Sequence, residues 1–279
     1  MKKKLSKKHI ICLCVIFVIC VIAIGEAFYL LLFSDRYPSN NEVKNQVVDQ
    51  NNQSENKDVR FSQLFQNGLI ENEAIENINK KDQDKDLIYT VYEKVEVQEG
   101  KYDIEVAIPR INLNQEQIEE ANLDIKQIFQ DKAEAILKNT NNIGVIYSVK
   151  YQGFLNQNIL SLVIQSTLKE GGQPQRAIVQ TYNYNLETNQ FIGADELIKK
   201  KDLEEKEVTK AIENEITRQN AQAQALKDLG YNVFVRNLDT DMYDYDQINN
   251  FFMDDQNNIY IIYAYGNSNM TSEMDLIIL

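Results

Sequence analysis

Between residues 239 and 246 the chain reads Asp-Thr-Asp-Met-Tyr-Asp-Tyr-Asp. Four carboxylates in so short a run supply the hard oxygen ligands that calcium takes. The spacing departs from the EF-hand loop, which needs a glycine at its sixth position and a closing glutamate, so no metal site is assigned. The same run suits a second chemistry, because tyrosines set beside acids form a docking surface for a basic partner. A third reading is a solvated loop. All three stay open, and Asp239, Asp241, Tyr243, Asp244, Tyr245 and Asp246 are the candidate partner-binding residues.

Other chemistries are limited by what the chain lacks. Its one histidine is His9, and its three cysteines, Cys12, Cys14 and Cys20, all precede residue 34. Beyond that point a Ser-His-Asp triad, a Cys-His pair and a histidine-ligated zinc site cannot be assembled, and no disulfide can form. Gly171-Gly172 lacks the strand-glycine-helix context of a phosphate cradle and reads as a turn. Paired carboxylates could still hydrolyse glycans without histidine. Composition permits that chemistry, but nothing sets two acids at a defined separation. No catalytic residue and no cofactor is therefore expected.

The acids are unevenly spread. Lys2, Lys3, Lys4, Lys7 and Lys8 open the chain, whereas residues 34–279 hold 24 basic and 41 acidic side chains. That surface repels nucleic acid and attracts cationic partners. Residues 10–33 carry a single charge, Glu26, and supply the roughly 20 apolar residues that a membrane span requires. With the lysines held in the cytoplasm, the expectation is one transmembrane helix with its N-terminus inside and residues 34–279 outside. A cleaved signal peptide ending near Ala23-Ile24-Gly25 is the rival. The apolar run that continues from Ala27 to Phe33 speaks against it.

The elements that must position these groups follow from periodicity. Residues 1–9 form a cytoplasmic tail. Residues 34–86 are a stalk or linker, polar and rich in Asn and Gln as far as residue 58 and ambiguous after it. The folded domain is expected over 87–279, with a division at 170/171 as an option. Ile88 to Val97 and Tyr102 to Ile108 alternate as a hairpin that Pro109 ends. Asn114 and Gln117 resemble a capping box ahead of the stripe Ile118, Ala121, Ile125, Phe129, Ile136. Strands are expected over 145–151 and 159–168, with 152–158 as a hairpin loop, and then over 177–186. A short helix at 195–198 and a long one over 202–229 follow. Strand-like runs close the chain at 233–235, 249–253, 259–264 and 274–279. Asp254-Asp255-Gln256-Asn257-Asn258 reads as a hairpin turn. The fold class is α+β: antiparallel hairpins with two main helices on one face, preceded by one transmembrane helix.

Four segments carry a family resemblance. Val106-Ala107-Ile108-Pro109-Arg110-Ile111 leads into the first helix, and Asn158 to Ile164 forms a central strand. Tyr182 to Gln190, followed by Ala194-Asp195-Glu196-Leu197-Ile198, makes a hairpin and short helix. Phe251 to Asp255, followed by Ile259 to Tyr263, makes the last hairpin. In this order they resemble the RsiV-type extracytoplasmic domain, shared by that anti-sigma factor and PdaC-type peptidoglycan deacetylases. The resemblance implies a non-catalytic binding or sensing module of a Gram-positive cell envelope, with a basic protein such as lysozyme as partner. It does not extend to an anti-sigma role, since residues 1–9 are too few for a sigma-binding domain. Tyr263 to Asn269 also departs from the family's proline-containing run. The expectation is a single-pass membrane protein with an extracellular binding domain. A glycan-acting wall enzyme and an envelope scaffold are the alternatives.

Overall fold

The structure, a computed structural model, describes Lys57 and residues 60–72 and 78–279. The expected tail, the apolar run at 10–33 and, Lys57 apart, residues 34–59 of the expected 34–86 stalk lie outside the described residues. No helix among the described residues is long and apolar enough to cross a membrane.

The fold is α+β, with one mixed sheet and a second, smaller sheet that is antiparallel throughout. Strands β1 (Leu69–Glu71), β2 (Ile88–Gln98), β3 (Tyr102–Ile111), β4 (Val145–Asn156), β5 (Ile159–Glu170), β6 (Arg176–Asn185) and β7 (Gln190–Phe191) form one sheet. Its order is β2-β3-β4-β5-β6-β7, with β1 also on β4. β3 and β4 run parallel, from Tyr102 opposite Val145 to Val106 opposite Val149. The helical crossover between them makes this possible: α1 (Glu116–Ile125), a π-helical turn (Lys126–Gln130) and α2 (Asp131–Lys138). β1 takes over the same edge of β4 further along, opposite Gly153 to Leu155, also in parallel.

The domain therefore begins before residue 87. Phe61 is buried, and Asn67 N donates to Tyr151 O at 3.0 Å. Residues 82–86 are held by Asn112, whose Nδ2 donates to Asp82 O, Lys85 O and Asp86 O. A linker reading fails for 60–72, where Phe61, Leu64, Phe65 and Ile70 pack with Phe252, Tyr260 and Leu276 of the second sheet, and for 82–86, which amide hydrogen bonds fix without leaving a hydrophobic period. A division at 170/171 would cut the β5–β6 hairpin, which pairs from Ile159–Asn185 to Leu168–Arg176.

Several local expectations shift. Pro109 lies inside β3, opposite Thr90 and beside the bulge between Thr90 and Tyr92. Proline is tolerated there because β3 has already left β4 at Val106. The first helix takes Gln115 rather than Asn114 as its N-cap, and Gln117 donates outward to Asn189 O at 2.6 Å. β4 runs through the expected loop, and a two-residue turn at Gln157 and Asn158 (φ 48° and 62°) joins it to β5. Residues 233–235 form no strand. Gly171, at φ 55°, and Asp254-to-Asn258 do make the turns read from sequence.

The second sheet has the order β10 (Met274–Ile278), β9 (Ile259–Ala264), β8 (Phe251–Met253). Side-chain alternation explains the layering. Leu160, Leu162 and Ile164 of β5 join a core with Ile118, Ile125, Phe129 and Ile136 of the helical crossover. Val163 points the other way and meets Phe252, Tyr260, Ile262 and Leu276 of the second sheet. β5 is covered on both faces, which is why it reads as a near-continuous apolar run. The odd residues Ile259, Ile261 and Ile277 turn instead toward α3 (Ala194–Lys200) and α4 (Glu205–Asp228), where Leu197, Val208, Ile212 and Ile216 wait. The two main helices thus pack on different sheets, not on one face.

β8 ends its sheet, but its backbone edge is not left bare. Thr181 Oγ1 accepts from Phe251 N at 3.1 Å, Asn183 Nδ2 donates to Phe251 O at 2.7 Å, and Ser161 Oγ accepts from Met253 N at 3.2 Å. Ser161 also donates to Asn183 Oδ1 at 2.7 Å. Polar side chains of one sheet therefore complete the hydrogen bonding of the other.

Candidate functional site

The candidate loop folds as two consecutive 3-10 turns, Asp241–Tyr243 and Tyr245–Gln247, and Thr240 Oγ1 accepts from Met242 N at 3.3 Å. Its tyrosines and aspartates separate. Asp239, Asp241, Asp244 and Asp246 are exposed, while Tyr243 and Tyr245 turn inward and are half-buried.

Asp244, Tyr245 and Asp246 form one wall of a cleft of about 800 Å³. The opposite walls come from the start of α3 (Ala194 and Asp195, with Gly193 as its N-cap) and from α4 (Glu205 and Thr209), with Ile248 in the lining. Four carboxylates from three elements, Asp195, Glu205, Asp244 and Asp246, therefore face one space, and its lining holds no lysine or arginine. Lys199 approaches Asp195 Oδ2 at 3.8 Å from one helical turn along. Asp195 and Glu205 also sit in the first turns of their helices, where a negative charge is favoured by the helix dipole. Tyr245 bridges the walls: burial and the hydrogen bond to Asp195 push its phenol up to about 12. A shallow depression of about 750 Å³ continues along α4 and shares Glu205 and Thr209 with the cleft.

Tyr243 leaves this cleft and anchors the loop. Its ring packs edge-on against Tyr263 at 5.2 Å, and its hydroxyl lies 3.1 Å from that of Tyr265. Tyr265 donates its proton to Asp275 Oδ2 at 2.7 Å, so Tyr243 must be the donor of the tyrosine pair. Burial drives the Tyr265 phenol far upward, and the Asp275 carboxylate adds to it. Asp239 and Asp241 join neither arrangement.

Thus three of the six sequence-derived residues reach the cleft, and one more holds its wall. Asp195 and Glu205 were not singled out from sequence. Each stands in a helix-opening acidic run, but nothing local says that two helix starts and a distant loop converge. Arg236, the partner of Asp275, had a signal: it is the only basic residue after Lys227.

The carboxyls with displaced pKa values all move downward. Glu96 is held down by Lys94 and Tyr102, and Glu134 by Gln130 and Lys138. Burial pushes Glu119 and Glu215 up. The cations beside them outweigh it, Lys81 and Arg110 for Glu119, Arg218 and Lys57 for Glu215. Among the described residues no group of three or more acids, histidines or cysteines is arranged to hold a metal ion.

No protein-family model matches the chain, and no curated protein does. Solved structures are similar to it. One is a DUF3298 family protein from Pseudomonas aeruginosa PAO1, 9% identical over 70% of this chain and 90% of that one, with a TM-score of 0.40. Another is a DUF3298 family member from Bacteroides fragilis, 15% identical over 58% of this chain and 74% of that one, with a TM-score of 0.28. The structural neighbours are DUF3298 family proteins. Likeness at this level assigns no ligand and no activity to the cleft.

Proposed function

We propose that this chain is a membrane-tethered binding module of a Gram-positive cell envelope, related to the RsiV-type domain, whose acidic cleft docks a basic protein. The observation that carries this reading is the convergence of Asp195, Glu205, Asp244 and Asp246 on one space whose lining holds no cation. Like charges gathered in a concave surface focus a negative potential, which raises the encounter rate and selects for a positive partner. Tyr245 supplies an amphipathic surface in the same wall, the residue type that anchors protein interfaces. The acidic balance of residues 34–279 extends the same preference over the chain. The apolar run at 10–33 and the lysines before it support a single span with this module outside the cell.

Lysozyme is a suitable cationic probe. The full chain in detergent should bind it at low ionic strength and release it as salt is raised to about 0.5 M, where the Debye length falls to a few ångströms. Asp195→Asn combined with Asp244→Asn and Asp246→Asn should weaken binding about tenfold or more. Asp103→Asn with Glu105→Gln, which removes charge from a different surface, should change it little. Equal loss from both sets would show that net charge, not the cleft, is responsible. No binding to lysozyme or to polylysine at low salt would end the proposal.

A further inference from the structure

The two sheets treat their edges differently. The backbone edge of β8 is completed by Thr181, Asn183 and Ser161, and β7 is only two residues long. β2 is eleven residues long and pairs with β3 on one side; among the described residues nothing pairs with its other side. An exposed edge of that length is a template for another strand. The side chains there are apolar as well. Val95 and Val97, 68% and 67% exposed, project from the face away from α1, and Val91 is half exposed beside Leu123 at the helix side.

We propose that β2 pairs antiparallel with β2 of a second copy of this chain, about a two-fold axis normal to the sheet at Val95. Two independent observations select this register. The first is length. The bulge after Thr90 and the turn at Glu99-Gly100 bound the regular stretch 92–98, and Val95 is its midpoint. The second is charge. Under such an axis residues directly opposite must share a face, so the centre must fall on a residue rather than between two. A centre at 94 sets Lys94 against its own copy, and centres at 93 or 96 set glutamate against glutamate. A centre at 95 sets Lys94 opposite Glu96 of the second copy, and Glu96 opposite Lys94. Within one chain Lys94 Nζ already lies 2.7 Å from Glu96 Oε2, so the pairing builds a ring of alternating charges on that face. On the other face Val95 meets its own copy, and Glu93 lies opposite Val97. Opposite charges across a strand pair stabilise it, and like charges destabilise it.

The test uses the full chain in detergent with Cys12, Cys14 and Cys20 replaced by alanine. Val95→Cys lies on the axis and should form an interchain disulfide on mild oxidation. Val97→Cys should not, because its two copies stand four residues apart along the strands, about 13 Å. Lys94→Glu or Glu96→Lys alone should weaken dimerisation, read by sedimentation, about tenfold, since each change acts twice across the axis. The combined swap should restore it. Cross-linking at 97 as strong as at 95, or sedimentation as a monomer, overturns the proposal. So does capture of position 95 by another polypeptide in place of its copy.

Discussion

Arg236 and Asp275 meet at two points in the interior: Nε donates to Oδ2 at 3.0 Å and Nη2 donates to Oδ1 at 2.7 Å. Asp275 is completely buried and Arg236 nearly so. The arginine also lies over the rings of Phe234 and Tyr265, and Tyr265 passes the connection to Tyr243 in the candidate loop. The pair therefore joins the last strand to the segment that carries the cleft wall. Burial alone would lower the guanidinium pKa, but Asp275 and Glu273 outweigh it and raise it.

Removing one partner leaves a lone charge out of water. Arg236→Met should lower unfolding stability by about 3–5 kcal/mol. Adding Asp275→Asn to it should recover part of the loss, because no net charge then remains buried. Urea denaturation of the two variants checks this. A double variant that is less stable than Arg236→Met would show that shape, not charge, governs the site.

Gly266 opens the short helix α5 (Gly266–Asn269) against β6. A Cβ placed on it would overlap Ala177 O and lie 2.8 Å from that residue's carbonyl carbon and 2.9 Å from its nitrogen. These are backbone atoms, so the contact cannot be relieved by a rotamer change. Gly266→Ala should cost about 1–3 kcal/mol or more. It should also speed amide exchange at Ala177, whose N–H is bonded to Thr271 O at 3.1 Å. Unchanged thermal stability would contradict this placement.

Glu215 supplies an acid-dependent term. It is buried on α4, takes hydrogen bonds from Arg218 at 2.5 Å and Lys57 at 3.4 Å, and has a depressed pKa. A carboxyl whose folded pKa lies below its unfolded value adds stability above the unfolded value. That stability is lost as pH falls through the folded one. Glu215→Gln should therefore be less stable than the parent at about pH 6, by about 1–3 kcal/mol. The gap should shrink toward about pH 3, as both proteins come to carry an uncharged group. A gap that stays constant over that range would rule the ion pairs out as its source.

Asn183 ties one sheet to the other. Asn183→Ala leaves Phe251 O without its donor and the Ser161 hydroxyl proton without its acceptor in a buried layer, although Ser161 Oγ still accepts from Met253 N. The expected cost is about 1–3 kcal/mol. Hydrogen exchange should report it first at Phe251 and Met253, and a uniform loss of protection across the molecule would instead indicate global destabilisation.

Legibility from sequence followed the range of the interactions involved. The hairpins and helices were visible because each is written in a local period: alternation over Tyr102 to Ile108, and steps of three and four from Ile118 to Ile136. The apolar stretch, the acidic balance and the absence of histidine and cysteine after residue 34 are likewise properties of the chain alone. What the tertiary structure decided is non-local. The parallel pairing of β3 with β4 depends on a crossover, and the capture of Leu69–Glu71 depends on an edge that β3 vacates at Val106. The cleft depends on Asp195, Glu205 and Asp244 arriving from three separate elements. A period records which side of one element is buried. It carries no record of which distant element lies against it, and so the partners of Arg236 and of the acidic loop became visible only once the chain had closed on itself.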